Sequence, residues 1–310
     1  MVKKKLLNNF KSGFVTLLGR PNVGKSTLIN KLIGEKITIT SPVAQTTRKK
    51  LKGILTTKNG QIIFVDTPGV HKPHHLFGEI LVKNAKSAIK GVDLVLLVLD
   101  SSQKPGRGDE YIKNFLELNK TKFIVVLNKW DLVEEEFKNL RIEQYKKFFG
   151  SEKIFYLVSA FKGEGCVELV NLLLKLLPQG PMLYEENRIC DQPLENILSD
   201  LVREQVLVNT REEVPHSIAV NIEKIDKIKS TNGKFFTAVM ATIIVERKSQ
   251  KGILIGKKGS MLKMIGQSAR INMKKLIDGP VHLELFVKVV SNWRKKESKL
   301  FELGYREEFK

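Results

Sequence analysis

Residues 19–27 read GRPNVGKST, a match to G-x-x-x-x-G-K-[ST]. The run before it, 14–18 (FVTLL), predicts a strand, and the amphipathic stretch 25–33 predicts a helix. A glycine-rich turn between strand and helix lets backbone N–H groups point inward at an anion, with the positive helix end behind them. The pattern assigns Gly19, Arg20, Pro21, Asn22, Val23, Gly24, Lys25, Ser26 and Thr27 to a phosphate cradle. In it Lys25 supplies charge to β- and γ-phosphates, and the Ser26 hydroxyl can ligate Mg²⁺.

Outward from this loop, 61–65, 94–99, 123–127 and 154–158 predict strands, and 108–118 and 166–177 predict helices. The alternation predicts an α/β domain with a mostly parallel sheet and flanking helices. Further motifs stand at strand ends. DTPG (66–69) puts Asp66 where it can hold Mg²⁺ through water and Gly69 where its N–H can meet the γ-phosphate, with Thr67 and Pro68 between them. Any Asp-x-x-Gly turn could produce this string alone. NKWD (128–131) bears on the base: an Asp131 carboxylate pairs with the N1–H and N2–H₂ donors of guanine, which adenine lacks. Asn128 would brace the loop, and the Lys129 stem would pack over the ring. The alternative is a capped turn with Asp131 as N-cap. SAF (159–161) follows the next strand, with Ser159 in the loop and the Ala160 N–H placed for the guanine oxygen.

The residue after DTPG raises a difficulty. Well-known nucleotide hydrolases place a Gln there to orient water, whereas Val70 has no polar side-chain atom.

The chain changes rhythm after the helix ending at PQGP (178–181), where two prolines and a glycine mark a stop. The boundaries drawn are 1–180 for the first domain, 181–194 for a linker and 195–310 for the second domain. In the latter, 194–208 reads as a helix, 217–225 and 236–245 as strands around a turn at 230–233, 260–277 as a helix, 282–290 as a strand, and a last helix begins near Trp293. Residues 247–275 hold nine basic residues and no Asp or Glu. At their centre is IGKKG (255–259), a G-x-x-G loop, weak evidence alone because it is usually a turn. Its glycines allow close approach of a nucleic-acid backbone, and the following helix offers N–H groups to phosphates. The candidate RNA contacts are Ile255, Gly256, Lys257, Lys258, Gly259, Lys263 and Arg270; the alternative is a solvated basic face.

Composition sets the bounds. The chain has 310 residues, 42% hydrophobic and 28% charged, with formal net charge +20. That excess points to an anionic partner, nucleic acid or an acidic membrane surface, against the plainer reading of a Lys-rich composition. Cys166 and Cys190 lack metal-ligand spacing and suit a reduced pair in a cytoplasmic protein. The start, MVKKKLLNNF, lacks the apolar run of a signal peptide, and VDLVLLVLD (92–100) is too short to span a bilayer. HKPHH (71–75) reads as a surface loop rather than a metal site. A monomer is expected.

GRPNVGKSTL, QTTR (45–48), DTPGVH, NKWD and SA together resemble the Era-like group of GTPases. The second domain, in the order helix, two strands, short helix, G-x-x-G, helix, strand, resembles the type II KH fold, an RNA-binding α+β unit. A GTPase domain followed by one C-terminal KH domain is the architecture of that family, and the resemblance covers nearly the whole chain. It implies a switch cycling between GTP and GDP with Mg²⁺. It also implies binding to the 3′ end of small-subunit (16S) ribosomal RNA, assistance in maturing the small ribosomal subunit, and peripheral membrane association. Thr47 would be the switch threonine that closes on Mg²⁺ and the γ-phosphate, with Thr46 as its rival. Relatives often carry a hydrophobic residue where Val70 stands, and in some an Asn of the phosphate loop helps bind K⁺. Asn22 holds that position; it either serves K⁺, which would act electrostatically as an arginine finger does, or only hydrogen-bonds the switch loop. The basic WRKKESK (293–299) departs from the family's expected last helix.

Overall fold

The computed structural model describes residues 9–40, 51–66, 89, 91–210, 214–295 and 298. Those up to Asp191 form one compact unit, and those from Gln192 onward form a second.

The first unit runs β1 (Lys11–Leu18), α1 (Lys25–Ile33), β2 (Leu51–Thr57), β3 (Gly60–Asp66), β4 (Leu94–Asp100), α2 (Arg107–Leu118), β5 (Phe123–Asn128), α3 (Lys138–Phe149), β6 (Phe155–Leu157) and α4 (Cys166–Leu176). The strands order as β2-β3-β1-β4-β5-β6. All neighbours are parallel except β2, which pairs antiparallel with β3. β3 and β4 are buried along their whole length, as strands covered on both faces must be. One face packs Val95, Leu97, Val125 and Leu127 against Ile112 and Phe115 of α2 and Tyr145 and Phe149 of α3. On the other, α1 and α4 lie against β1 and β3. β1 sits mid-sheet between β3 and β4, so the loop after it opens at the carboxyl edge of the sheet, where ligands of such folds bind.

Two elements were not expected. β2 is an edge strand whose outer side is joined by 189–191: Ile54 N–H donates to the Ile189 carbonyl, Asp191 N–H donates to that of Lys52, and Lys52 N–H donates to Asp191 Oδ1. α3 buries only Tyr145 and Phe149, too sparse a stripe to announce a helix. The segment drawn as a linker, 181–194, is divided: fully buried Gln61 accepts the N–H groups of Leu183 and Tyr184 and donates to the Tyr184 carbonyl, which ties this part to β3.

The second unit runs α5 (Leu194–Asn209), a helical turn (Val214–Ser217), β7 (Ala219–Lys229), β8 (Phe235–Val245), α6 (Lys248–Ile255), α7 (Ser260–Met273) and β9 (Val281–Val289). β7 and β8 form an antiparallel hairpin, and β9 runs parallel to β8. The helices cover one face: Leu201, Val206, Ile265, Ala269 and Met273 pack on Val239, Ala241, Ile243 and Val281. α6 is the short helix expected before the G-x-x-G loop, α7 stops at Met273 rather than residue 277, and Trp293–Lys295 is a 3-10 turn. Trp293 is buried against Ala219 and Ile244 and donates its indole N–H to the Ser217 carbonyl.

Candidate functional site

The phosphate-loop geometry follows from its residue types. Gly24 takes φ 94°, and a Cβ there would lie 2.3 Å from Asn128 Nδ2; a Cβ on Gly19 would lie 2.2 Å from the Val98 carbonyl oxygen. Both approaches exclude a side chain. Asn22 adopts φ 63°, a left-handed conformation that Asn tolerates better than most residues. Lys25, nearly buried, donates to the carbonyls of Gly19 (3.0 Å) and Arg20 (2.8 Å). Burial lowers its pKa from 10.5 to about 8, partly opposed by the Asp66 carboxylate.

Ser26 Oγ donates to Asp66 Oδ2 at 3.2 Å, and Asp66 is fully buried at the end of β3. A hydroxyl beside a carboxylate is an oxygen donor set that suits Mg²⁺. Asn30 on α1 pins the chain beyond the helix. Its Oδ1 accepts the N–H groups of Ile37 and Thr38, and its Nδ2 donates to the Thr38 carbonyl. The Thr38 hydroxyl lies 3.1 Å from the Ser26 carbonyl.

Asn128, buried at the end of β5, joins two loops. Its Nδ2 donates to the Val23 carbonyl in the phosphate loop (2.8 Å), and its Oδ1 accepts the Ala160 N–H (3.0 Å). The Ala160 N–H, expected to face a guanine oxygen, thus donates to Asn128 in this structure. Ser159 is buried and turns its loop: its hydroxyl accepts the Lys162 N–H and its carbonyl that of Gly163. Lys129, at φ 61°, reaches Asp100 Oδ2 at 2.6 Å, which fixes its stem. Asp131 lies in the 3-10 turn Trp130–Leu132, half-buried, and caps nothing: Lys129 holds the cap position, and no side-chain cap bond forms. Its carboxylate makes no hydrogen bond or ion pair among the described residues. The N-cap alternative therefore falls.

Four partners escaped the sequence reading: Asp109, Asn30, Asp100 and Tyr145. Arg20 Nε donates to Asp109 Oδ1 at 2.8 Å, so its guanidinium braces the loop against α2. Asp109 is fully buried, and its second oxygen accepts the Gly106 N–H. The Tyr145 hydroxyl bonds the carbonyls of Asp100 and Gln103, and burial, with Asp109 nearby, raises its pKa. Thr46, Thr47, Thr67, Pro68, Gly69, Val70 and the histidines at 71–75 lie outside the described residues.

In the second unit the G-x-x-G loop lies between α6 and α7. Gly256, Lys258 and Gly259 all take positive φ (70°, 52° and 79°). A Cβ on Gly256 would lie 2.8 Å from Met261 Cβ, so this glycine is required for the close turn into α7. Lys257 and Lys258 are exposed, as are Lys263 and Arg270 on α7, while Ile255 is half-buried. Among the described residues no helix is long and apolar enough to cross a membrane, and no cluster of His, Cys, Asp and Glu forms a metal site.

Comparison with known proteins bears on both units. A family model described as 50S ribosome-binding GTPase matches residues 14–129, and a KH domain model matches residues 213–294. The chain is 52% identical over 300 residues to GTPase Era of Crocosphaera subtropica, covering 96% of this chain and 94% of that one. It is 51% identical over 298 residues to GTPase Era of Rippkaea orientalis, covering 96% and 93%. Among solved structures it is similar to Era in complex with MgGDPNP and nucleotides 1506–1542 of 16S ribosomal RNA, with TM-score 0.86, 39% identity, and coverage of 96% and 99%. A variant of Aquifex aeolicus Era bound to GDP·AlF4⁻ gives TM-score 0.86, 38% identity and the same coverage. The chain belongs to the Era family of GTPases, a P-loop GTPase domain followed by a KH domain.

Proposed function

We propose that this GTPase holds the 3′ end of 16S ribosomal RNA on its KH domain and uses the GTP cycle to time its work in maturing the small ribosomal subunit. The observation that carries the RNA half is the exposed Lys257–Lys258 pair inside a G-x-x-G turn that opens α7. An Era structure of the same architecture was solved with nucleotides 1506–1542 of that RNA. In this reading Ile255, Gly256, Gly259, Lys263 and Arg270 complete the contact. The loop clamps about four nucleotides of backbone.

In the first unit, residues 19–27 cradle the phosphates, Lys25 bonds β- and γ-oxygens, and Asp131 reads guanine while Asn128, Lys129, Ser159 and Ala160 hold the base-side loops. Ser26, Asp66 through water, and Thr47 (or its neighbour Thr46) would hold Mg²⁺, which neutralises phosphate charge when bound. The Ser26–Asp66 contact and the glycine cradle fit that group. The Gly69 N–H meets the γ-phosphate, in the segment Thr67–Pro68–Gly69. Val70 contributes no polar atom; Lys25 and the loop amides face the transition-state charge, and Asn22 would help hold a K⁺ ion, which would add electrostatic stabilisation there when bound. Rates measured in K⁺ and in Na⁺ test the last point: equal rates in both, with Asn22→Ala unchanged, would remove K⁺ from the scheme.

The test of the whole reading is nucleotide-dependent crosslinking to total RNA, followed by sequencing. Reads concentrated at the 3′ end of 16S RNA in the GTP-analogue state are expected; an even spread over RNA in every state would sink it. The net charge of +20 favours a second reading, peripheral contact of a cytoplasmic protein with anionic membrane. It predicts vesicle binding that survives Lys257→Asp with Lys258→Asp.

A further inference from the structure

The turn that joins β7 to β8 carries aromatic and basic side chains that the G-x-x-G loop does not use. Ser230, Asn232, Lys234, Phe235, Phe236 and His282 line a cavity of about 460 Å³ open to solvent. Phe235 is 53% exposed on the hairpin tip, so its ring is open to a ligand. The Lys229 ammonium lies 5.8 Å from its ring centroid, directly across the hairpin. Phe236 meets the His282 ring edge-to-face at 6.4 Å. Lys227, Lys229 and Lys234 are exposed around this tip. Of the acids around it, Asp226 pairs with Lys224 at 2.7 Å, Glu284 lies 3.5 Å from His282, and Asp278, two residues before the cavity-lining Pro280, is exposed.

Exposed aromatic faces among lysines, with an amide beside them, form a surface on which unpaired bases stack while phosphates meet the cations. We propose that this cavity is a second RNA contact, taking an unstacked base of a single-stranded segment against Phe235, with Lys229 and Lys234 on its phosphates. The proposal rests on the reading that the KH domain binds RNA. Two further observations favour RNA as occupant. The G-x-x-G loop clamps about four nucleotides, whereas the RNA bound by the solved relative spans nucleotides 1506–1542. Between the two sites lies α7, 14 residues and so about 20 Å long. Along it Lys263, Gln267 and Arg270, and Lys274 at its C-cap, are exposed at helical spacing, a polar and basic stripe leading away from the loop.

The full chain tests this with RNA of nucleotides 1506–1542 carrying 4-thiouridine. A photo-crosslink to the peptide containing Phe235 is expected, and Phe235→Ala should weaken binding about tenfold. Lys234→Glu keeps the ring and should weaken binding with a shallower salt dependence. Thermal unfolding checks that both variants fold, and GTP hydrolysis without RNA should match wild type. Unchanged affinity in both variants, with no crosslink at 229–236, overturns the second contact if Lys257→Asp with Lys258→Asp still weakens binding. If that double variant also binds as wild type, the RNA reading of the KH domain is what has failed.

Discussion

Lys25 and Lys258 both stand in glycine loops that open a helix, and their surroundings differ in every respect. Lys25 is nearly buried, bonded to two carbonyls of its own loop, and displaced in pKa to about 8. Lys258 is exposed, in a left-handed turn. Holding a desolvated ammonium in place costs free energy in the folded state, and it returns as pre-organisation when phosphate oxygens arrive. An exposed lysine costs little and gives little geometry; its attraction to phosphate is screened by salt. One site is built for a single small ligand, the other for a backbone whose path varies.

The largest expected consequence of that contrast is at Lys25. Lys25→Ala should lower hydrolysis by about 10³-fold or more, because a fixed charge aimed at developing negative charge has no substitute in the loop. A GTPase assay at saturating GTP measures it, and a loss under tenfold would mean that Lys25 is not pre-organised for the reaction.

Next comes the base pocket. Asp131→Asn should exchange guanine preference for xanthine preference, a shift of roughly 10²–10³-fold, since a site that pairs with donors rejects a base lacking them. Competition binding of GTP against XTP reads the shift directly. An unchanged ratio would remove Asp131 from base reading and reduce the contrast between the units to phosphate contacts alone.

What was legible in advance follows the same division. GRPNVGKST could be read because each position answers to a local rule: glycine where backbone must approach, a cation and a hydroxyl at the helix start. The G-x-x-G loop was legible for the same reason. Partners distant along the chain were not. Nothing local says that Arg20 turns from the phosphates to Asp109, or that Gln61 fastens Leu183 and Tyr184. Those bonds exist only once the sheet has assembled. β2 and α3 were missed for lack of pattern: β2 is an edge strand, and α3 buries two residues. The Ala160 N–H shows a finer limit, since the motif marks the loop but not that Asn128 occupies its donor.

Two arginine–carboxylate pairs carry the comparison from ligands to stability. In the first unit Arg20 covers fully buried Asp109; in the second Arg294 meets Glu246 at the surface. Arg20→Ala should destabilise the first unit by about 2 kcal/mol, because among the described residues it leaves a buried carboxylate with only the Gly106 N–H. Calorimetry of the full chain should show the transition of the first unit lowered. Equal lowering by Arg20→Ala and Arg294→Ala would erase the distinction.

The smallest effect belongs to Arg294 and has a pH signature. The hydrogen bond from Arg294 and its charge hold the Glu246 carboxyl below its ordinary value of 4.5, against a smaller opposing push from burial. A carboxyl whose pKa falls on folding contributes stability that is fully present above its unfolded value and is lost as pH falls through the folded one. The Arg294 side chain is 48% exposed, so the pair contributes under about 1 kcal/mol. Arg294→Ala should therefore cost a few tenths of a kcal/mol at neutral pH, and the difference from wild type should close as the pH drops below 4.5. Denaturant titrations of both proteins across that range measure it. A gap that persists undiminished in acid would mean that Arg294 acts through packing beside Trp293 rather than through Glu246.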